Sequence, residues 1–190
     1  MQSDAALAQL ESHEANETSR LYDALAKSFA AILIRELGDK ITSIVLYGSV
    51  ARGMAKPESD IDVFVVAGKA ETERDVIRRR IMDLEYEFWN GDESESLREQ
   101  GYRASVETLV VSEAHARRGF SIYLDMTLEA VVLYDPSGFF AQRMEQVKAR
   151  MAELKSRREW IDDDCYVWRL KGDMKLGEIF QLPYIEDGQV

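Results

Sequence analysis

Two carboxylates open an apolar run in this chain, Ser59-Asp60-Ile61-Asp62-Val63-Phe64-Val65-Val66. Side chains alternate faces along a strand, so Asp60 and Asp62 share one face while Ile61, Val63 and Val65 share the other. Two acids on one face repel each other unless a cation joins them. Magnesium suits that position, because it takes hard oxygen ligands from one or two carboxylates and completes its shell with substrate phosphates. Upstream, separated from Asp60 by ten residues, stand Gly48 and Ser49 within Leu46-Tyr47-Gly48-Ser49-Val50-Ala51-Arg52-Gly53. Gly48 permits a sharp turn and a close approach of backbone to ligand. Ser49 opens a short helix whose free N–H groups and hydroxyl suit phosphate oxygens. A phosphate-sized turn facing two metal-competent acids implies a nucleotide carried with its cation.

Two strands must position these groups. The β-branched and aromatic runs Ile41 to Tyr47 and Ile61 to Val66 are cut where the glycines sit, which predicts strand, glycine turn, short helix, loop and second strand. In that setting the Gly48-Ser49-x10-Asp60-x-Asp62 pattern resembles the signature of the minimal nucleotidyltransferases, small members of the DNA polymerase β-like superfamily. The resemblance implies an α+β nucleotidyltransferase fold of two layers, a mixed sheet flanked by helices, with a small C-terminal hairpin as an appendage.

It also implies a reaction: transfer of a nucleoside monophosphate, AMP from ATP, from a triphosphate to a hydroxyl, with pyrophosphate leaving. Asp60 and Asp62 would hold Mg2+ or Mn2+, and Gly48 and Ser49 would bind the nucleotide. Such sites are completed by a third carboxylate on a neighbouring strand, which helps deprotonate the acceptor hydroxyl. Position selects Glu107, which shares a strand face with Leu109 and Val111; an exposed strand edge is its other reading, and Glu113 and Asp125 are weaker alternatives. Arg52, three residues past Ser49, is placed to contact a phosphate or to pair with an acid such as Glu58.

The resembling family includes modifiers of aminoglycoside antibiotics and antitoxins that adenylylate a tyrosine of a partner HEPN-domain toxin. A lone small domain looks like the second kind, and the lack of an Arg-x4-His-x-Tyr element makes this chain the modifier rather than the toxin. A non-catalytic antitoxin or regulatory binding module and a small-molecule or RNA 3′-end nucleotidyltransferase are the other readings. The segment from Trp168 to Phe180 is similar to the C-terminal segment of archaeal stand-alone nucleotidyltransferases. Its aromatic residues are expected to cover the sheet edge, with Lys171 and Lys175 as weak phosphate candidates.

The 190 residues, 46% hydrophobic and 31% charged, suit one globular domain with a good core. The expected organisation is a nucleotidyltransferase domain over 1–155 with an N-terminal helix, and a hairpin and tail over 156–190 packed on it. A net charge of −11 argues against passive binding to a nucleic-acid backbone, whereas a nucleotide arriving with its metal remains compatible. The same acidity also suits a salty cytoplasm. No apolar run approaches the ~20 residues of a membrane span, and Met1-Gln2-Ser3-Asp4 lacks the regions of a secretory signal, so a cytoplasmic protein is expected. Cys165 is single and reads as a small apolar filler. His13 and His115 lack partners at metal or catalytic spacing, and Gly68-Lys69 lacks the upstream glycine of a P-loop.

Elsewhere, Asp4 to Leu37 predicts a helix with Leu21, Leu25, Phe29, Ile32 and Leu33 on one face and Gly38 as its stop. Ile77, Ile81, Leu84 and Phe88 mark a second helix ended by Gly91, with Arg78, Arg79 and Arg80 on its solvated side. Gly91 to Gln100, acidic and aperiodic, reads as a loop. Strands are expected over Arg103 to Val111 and Ala130 to Tyr134. Asp135 and Pro136 then suggest N-cap and N1 of a helix with Phe140, Met144, Val147, Met151 and Leu154 as its stripe. Arg158 to Ile161 and Cys165 to Trp168, flanking three aspartates, predict a hairpin.

Overall fold

The computed structural model describes residues 15–162 and 165–173. Its elements in chain order are α1 (Glu17–Leu37), β1 (Ile41–Tyr47), α2 (Gly48–Ala51), β2 (Ile61–Ala67), α3 (Glu71–Trp89), α4 (Asp92–Glu99), β3 (Val106–Val111), α5 (Glu113–Ala116), α6 (Ile122–Glu129), β4 (Val131–Tyr134), α7 (Phe139–Leu154), β5 (Arg157–Trp160) and β6 (Tyr166–Arg169). Asn16, in extended conformation, caps α1 by accepting from the Ser19 N–H, so the helix starts at Glu17; the expected part over residues 4–14 lies outside the described residues. The buried stripe of α1 centres on Tyr22, Leu25, Phe29 and Leu33, and leaves Leu21 and Ile32 half-buried at its margins.

The sheet order is β3-β2-β1-β4, with β1 antiparallel to β2 and β4, and β2 parallel to β3. This is the expected mixed sheet flanked by helices. Strand β2 is apolar on both sides. Ile61, Val63 and Val65 pack with Leu25, Phe29 and Ile81 from α1 and α3, while Phe64 and Val66 pack with Tyr123, Phe140 and Val147 from α6 and α7. Each such side chain, fully buried, contributes roughly 1.5–3 kcal/mol. Two apolar faces demand two covers, which α1 and α3 supply on one side and α6 and α7 on the other. On the outer edge of β3 the Thr108 N–H donates to Glu85 Oε1 (3.0 Å), a carboxylate from α3 taking the place of a further strand.

Four local features differ from expectation. Residues 92–99 are helix α4, not loop: Asp92, Glu93 and Glu95 crowd its N-terminus, where the helix dipole favours acids, and Arg98 lies 4.0 Å over the Trp89 ring. Two turns carrying a single leucine give too short a stripe to read. Strand β3 begins at Val106 rather than Arg103, because buried Ala104 takes a left-handed conformation (φ 50°). Helix α7 begins at Phe139 rather than Pro136, after Gly138 at φ 70°, and the Asp135 carboxylate still accepts from the Phe140 and Ala141 N–H groups (3.2 and 3.0 Å). Cys165, expected as filler, is exposed in the turn before β6. The β5–β6 hairpin forms as expected and docks on α6, where Trp168 Nε1 donates to Asp125 Oδ1 (2.9 Å).

Candidate active site

Antiparallel pairing sets Tyr47 opposite Asp62, and parallel pairing sets Asp62 opposite Glu107, so the three side chains form a row across β1, β2 and β3. Immediately after Tyr47 the chain turns at Gly48, φ 74°. A Cβ on Gly48 would overlap Asp62 Oδ2 and stand 3.0 Å from its Cγ, so the turn and the carboxylate pack directly on one another. Ser49 follows, half-buried, and its carbonyl accepts from the Met54 N–H (2.9 Å) to close the turn.

The loop from this turn to the acids is held by the first two turns of α1. The Asn16 N–H donates to the Gly53 carbonyl (3.2 Å), and its side-chain amide donates to the Ala55 carbonyl (2.9 Å). The Ser19 hydroxyl accepts from the Ala55 N–H (2.9 Å), and the Tyr22 hydroxyl donates to the Pro57 carbonyl (2.5 Å). Helical spacing of three thus reads every second residue of an extended segment.

Burial, then the neighbouring charges of Asp60 and Glu107, push the Asp62 carboxyl up to about 6, and Arg52 works against them. Burial and the same row of acids push the Tyr47 hydroxyl up to about 12. Asp60 Oδ1 is buried and 2.7 Å from Arg103 Nε, but the N–H does not point at it and no hydrogen bond forms. Arg103 Nη2 stands 3.4 Å from Glu107 Oε1. With that guanidinium between them the acids are spread, and among the described residues no three His, Cys, Asp or Glu side chains converge into a metal cage. The donor set nevertheless fits a divalent cation: hard carboxylate oxygens, an Asp60 oxygen without a hydrogen bond, and an Asp62 whose charge its neighbours oppose.

Arg52 pairs with Glu129 Oε2 (3.1 Å) rather than with Glu58. Glu129 is clamped from its other side by Arg158 of the hairpin, and the side chains of Glu129 and Arg158 are each only 9% exposed. Glu113 accepts from Thr42 Oγ1 (2.8 Å) near the opposite end of β1, and Asp125 is taken by Trp168, so neither joins the row at Asp62. His115 has Nδ1 3.6 Å from Glu71 Oε1 and its ring against Phe120, away from the row at Asp62. His13 and Lys175 lie outside the described residues. Tyr22, Arg103, Glu129 and Arg158 are the site neighbours that sequence reasoning missed. Only Tyr22 carried a signal, a polar-tipped residue in step with Asn16 and Ser19 at the start of a helix.

On this mixed sheet Asp62 packs against a glycine turn, with Asp60 two residues before it. Residues 27–105 match the family model of the nucleotidyltransferase domain, a span that takes in the turn, Asp60 and Asp62 and ends just before β3. Those residues of the chain are therefore similar to a nucleotidyltransferase domain, an enzyme module. No curated protein matches the chain. Among solved structures it is similar to a toxin-antitoxin complex with AMP-PNP, at 17% identity and TM-score 0.40 over 68% of this chain and 92% of that one. It is also similar to the toxin-antitoxin MntA-HepT, at 15% identity and TM-score 0.36 over 70% and 92%. A third is a tri-AMPylated Shewanella oneidensis HEPN toxin in complex with MNT antitoxin, at 15% identity and TM-score 0.34 over 70% and 92%.

Proposed function

We propose that this protein moves AMP from ATP to a hydroxyl group, that the acceptor is a tyrosine of a partner HEPN-domain toxin, and that it acts as a cytoplasmic antitoxin. The observation that carries the reading is the contact of Asp62 with Gly48, with Glu107 in register on the next strand. It sets opposing carboxylates beside a turn suited to phosphate, an arrangement completed by a cation and a triphosphate. Asp60, Asp62 and Glu107 would hold Mg2+ or Mn2+, which when bound supplies charge stabilisation to the transferring phosphoryl group. The Gly48 backbone and Ser49 anchor the distal phosphates, and Arg52, at the end of α2, adds its charge to them. The acceptor oxygen bonds to the α-phosphorus as the bond to the pyrophosphate oxygen breaks. The hydroxyl proton passes to Glu107, whose side chain is 57% exposed and open to an acceptor, against 28% for Asp60.

One observation favours a second reading, a partner-binding module without catalysis: Arg103 lies between Asp60 and Glu107 and supplies them with a positive charge of the chain's own. Transfer of label from α-labelled ATP with Mg2+ or Mn2+, to a lysate of the native host and to a purified HEPN protein, separates the two. A labelled tyrosine that disappears with the Asp60→Asn, Asp62→Asn double variant is the expected result. No transfer from any of the four nucleotides would leave the binding module standing.

A further inference from the structure

We propose that Arg103 is the resident counter-ion of the carboxylate site, displaced when a divalent cation enters and then free to bind the triphosphate. The inference rests on the nucleotidyltransferase reading above and names a residue beyond the turn and acids of the motif. It starts from the backbone. Ala104 is fully buried at φ 50°, a conformation that an L residue other than glycine takes only when its surroundings impose it. The surroundings here are explicit. The Arg103 N–H donates to the Pro57 carbonyl (2.7 Å), and the Ala104 N–H donates to the Tyr22 hydroxyl (3.2 Å). That hydroxyl in turn donates to the same Pro57 carbonyl, while the Ile61 N–H donates to the Ser105 carbonyl (2.8 Å). The segment bearing Arg103 is therefore fastened to the loop that delivers Asp60, and the kink at Ala104, just before β3, sets the Arg103 side chain against Asp60 and Glu107.

The contact itself is exchangeable. The Arg103 side chain is 48% exposed, it meets Asp60 through one nitrogen with no aligned hydrogen bond, and its approach to Glu107 is 3.4 Å. It is not the paired-fork geometry that locks an arginine on a carboxylate. A divalent cation on the same acids repels the guanidinium and outcompetes a single positive charge for them. The released fork, still anchored at its backbone beside the site, then offers its donors to phosphate oxygens. Removing Arg103 must therefore move two affinities in opposite directions, tighter for the bare cation and weaker for the nucleotide. A residue that merely supports the loop would weaken both.

The test is calorimetric titration of Mn2+ into metal-stripped protein, followed by titration of a non-hydrolysable ATP analogue at saturating Mn2+. Wild type, Arg103→Met, Arg103→Lys and the Asp60→Asn, Asp62→Asn double variant are compared, with circular dichroism and melting to show that each is folded. Arg103→Met is expected to bind Mn2+ about 5-fold tighter and the analogue about 5-fold weaker, changes of the size expected for one partly screened charge. Arg103→Lys keeps the charge and the exposure; it is expected to leave Mn2+ affinity within about twofold while losing analogue affinity with the fork. Unchanged or weaker Mn2+ binding in a folded Arg103→Met protein, with the double variant silent, overturns the role of Arg103 and leaves the metal site standing. Mn2+ binding that is absent from wild type and Arg103→Met alike, or retained by the double variant, overturns both.

Discussion

The Asp62 carboxylate occupies the space that a side chain on Gly48 would need, so the glycine turn and the central acid of the candidate site form one packed unit. Neither can change without the other.

Gly48→Ala tests this directly. The added methyl group meets Asp62 and places alanine at φ 74°, a conformation costing roughly 1–2 kcal/mol before any clash. The variant is expected to melt lower and to transfer label at least about 100-fold more slowly, as expected when a reacting group is displaced by an ångström. Wild-type transfer rates from Gly48→Ala would count against the unit.

Asp62 makes the metal-free protein sensitive to pH. Its carboxyl rises from 3.8 to about 6 on folding, so the folded state holds the proton more tightly than the unfolded chain. The ionised form therefore costs stability above pH 6, the cost shrinks as pH falls from 6 towards 4, and below 4 it is gone. Fully transmitted, the shift would amount to about 3 kcal/mol; screening at this partly open position reduces it to roughly 1 kcal/mol. Urea unfolding in the presence of EDTA should show Asp62→Asn more stable than wild type by about that amount at pH 8 and indistinguishable at pH 4. A gain of the same size at both pH values would mean that packing, not charge, is responsible.

Glu129 neutralises two arginines at once, Arg52 from α2 and Arg158 from the hairpin. Glu129→Ala strands both charges, and breaking such a buried pair costs about 3–5 kcal/mol, towards the lower end here because Arg52 retains some exposure. Pairing Glu129→Leu with Arg158→Met should recover most of the loss, read as the urea midpoint. Equal midpoints for Glu129→Ala and wild type would show that the clamp carries no stability.

Tyr22→Phe removes one hydroxyl and leaves the buried Ala104 N–H without a partner. The expected cost is about 1–3 kcal/mol, with faster hydrogen exchange at Ala104 than at the neighbouring strand amides. Protection at Ala104 equal to wild type would show that this N–H finds another acceptor.

What the sequence disclosed and what it withheld divide by distance along the chain. The meeting of the Gly48 turn with Asp62 was legible because the two residue pairs stand a short loop apart, while their chemical role remains part of the proposal. The alternation of β2 was also legible, and it places Asp62 with Phe64 and Val66 on the side facing α6 and α7. The register of Asp62 with Glu107 matches the choice of Glu107 by position, though its ligand role remains part of the proposal. Arg52 reads as a phosphate contact or as the partner of an acid such as Glu58; the acid it meets is Glu129, 77 residues on, because the docking of α6 beside α2 is a tertiary event with no local trace. Arg103 looked like the first residue of a strand; nothing in its neighbours announced that Ala104 would turn left-handed. Helix α6 buries Tyr123, Leu124, Met126 and Thr127 on more than one side and so leaves no stripe to read.

The grip of Asn16, Ser19 and Tyr22 on residues 53, 55 and 57 makes α1 a gauge for the loop it touches. One residue added between Gly53 and Pro57 would put the Tyr22–Pro57 bond out of step with the Asn16–Gly53 bond. If the slack were passed on to β2, a one-place slip would send both aspartates to the opposite face of the sheet. The ten-residue interval between Ser49 and Asp60 is thus a length kept by a helix outside the motif, and substitutions within the loop should be tolerated far better than any change in its count.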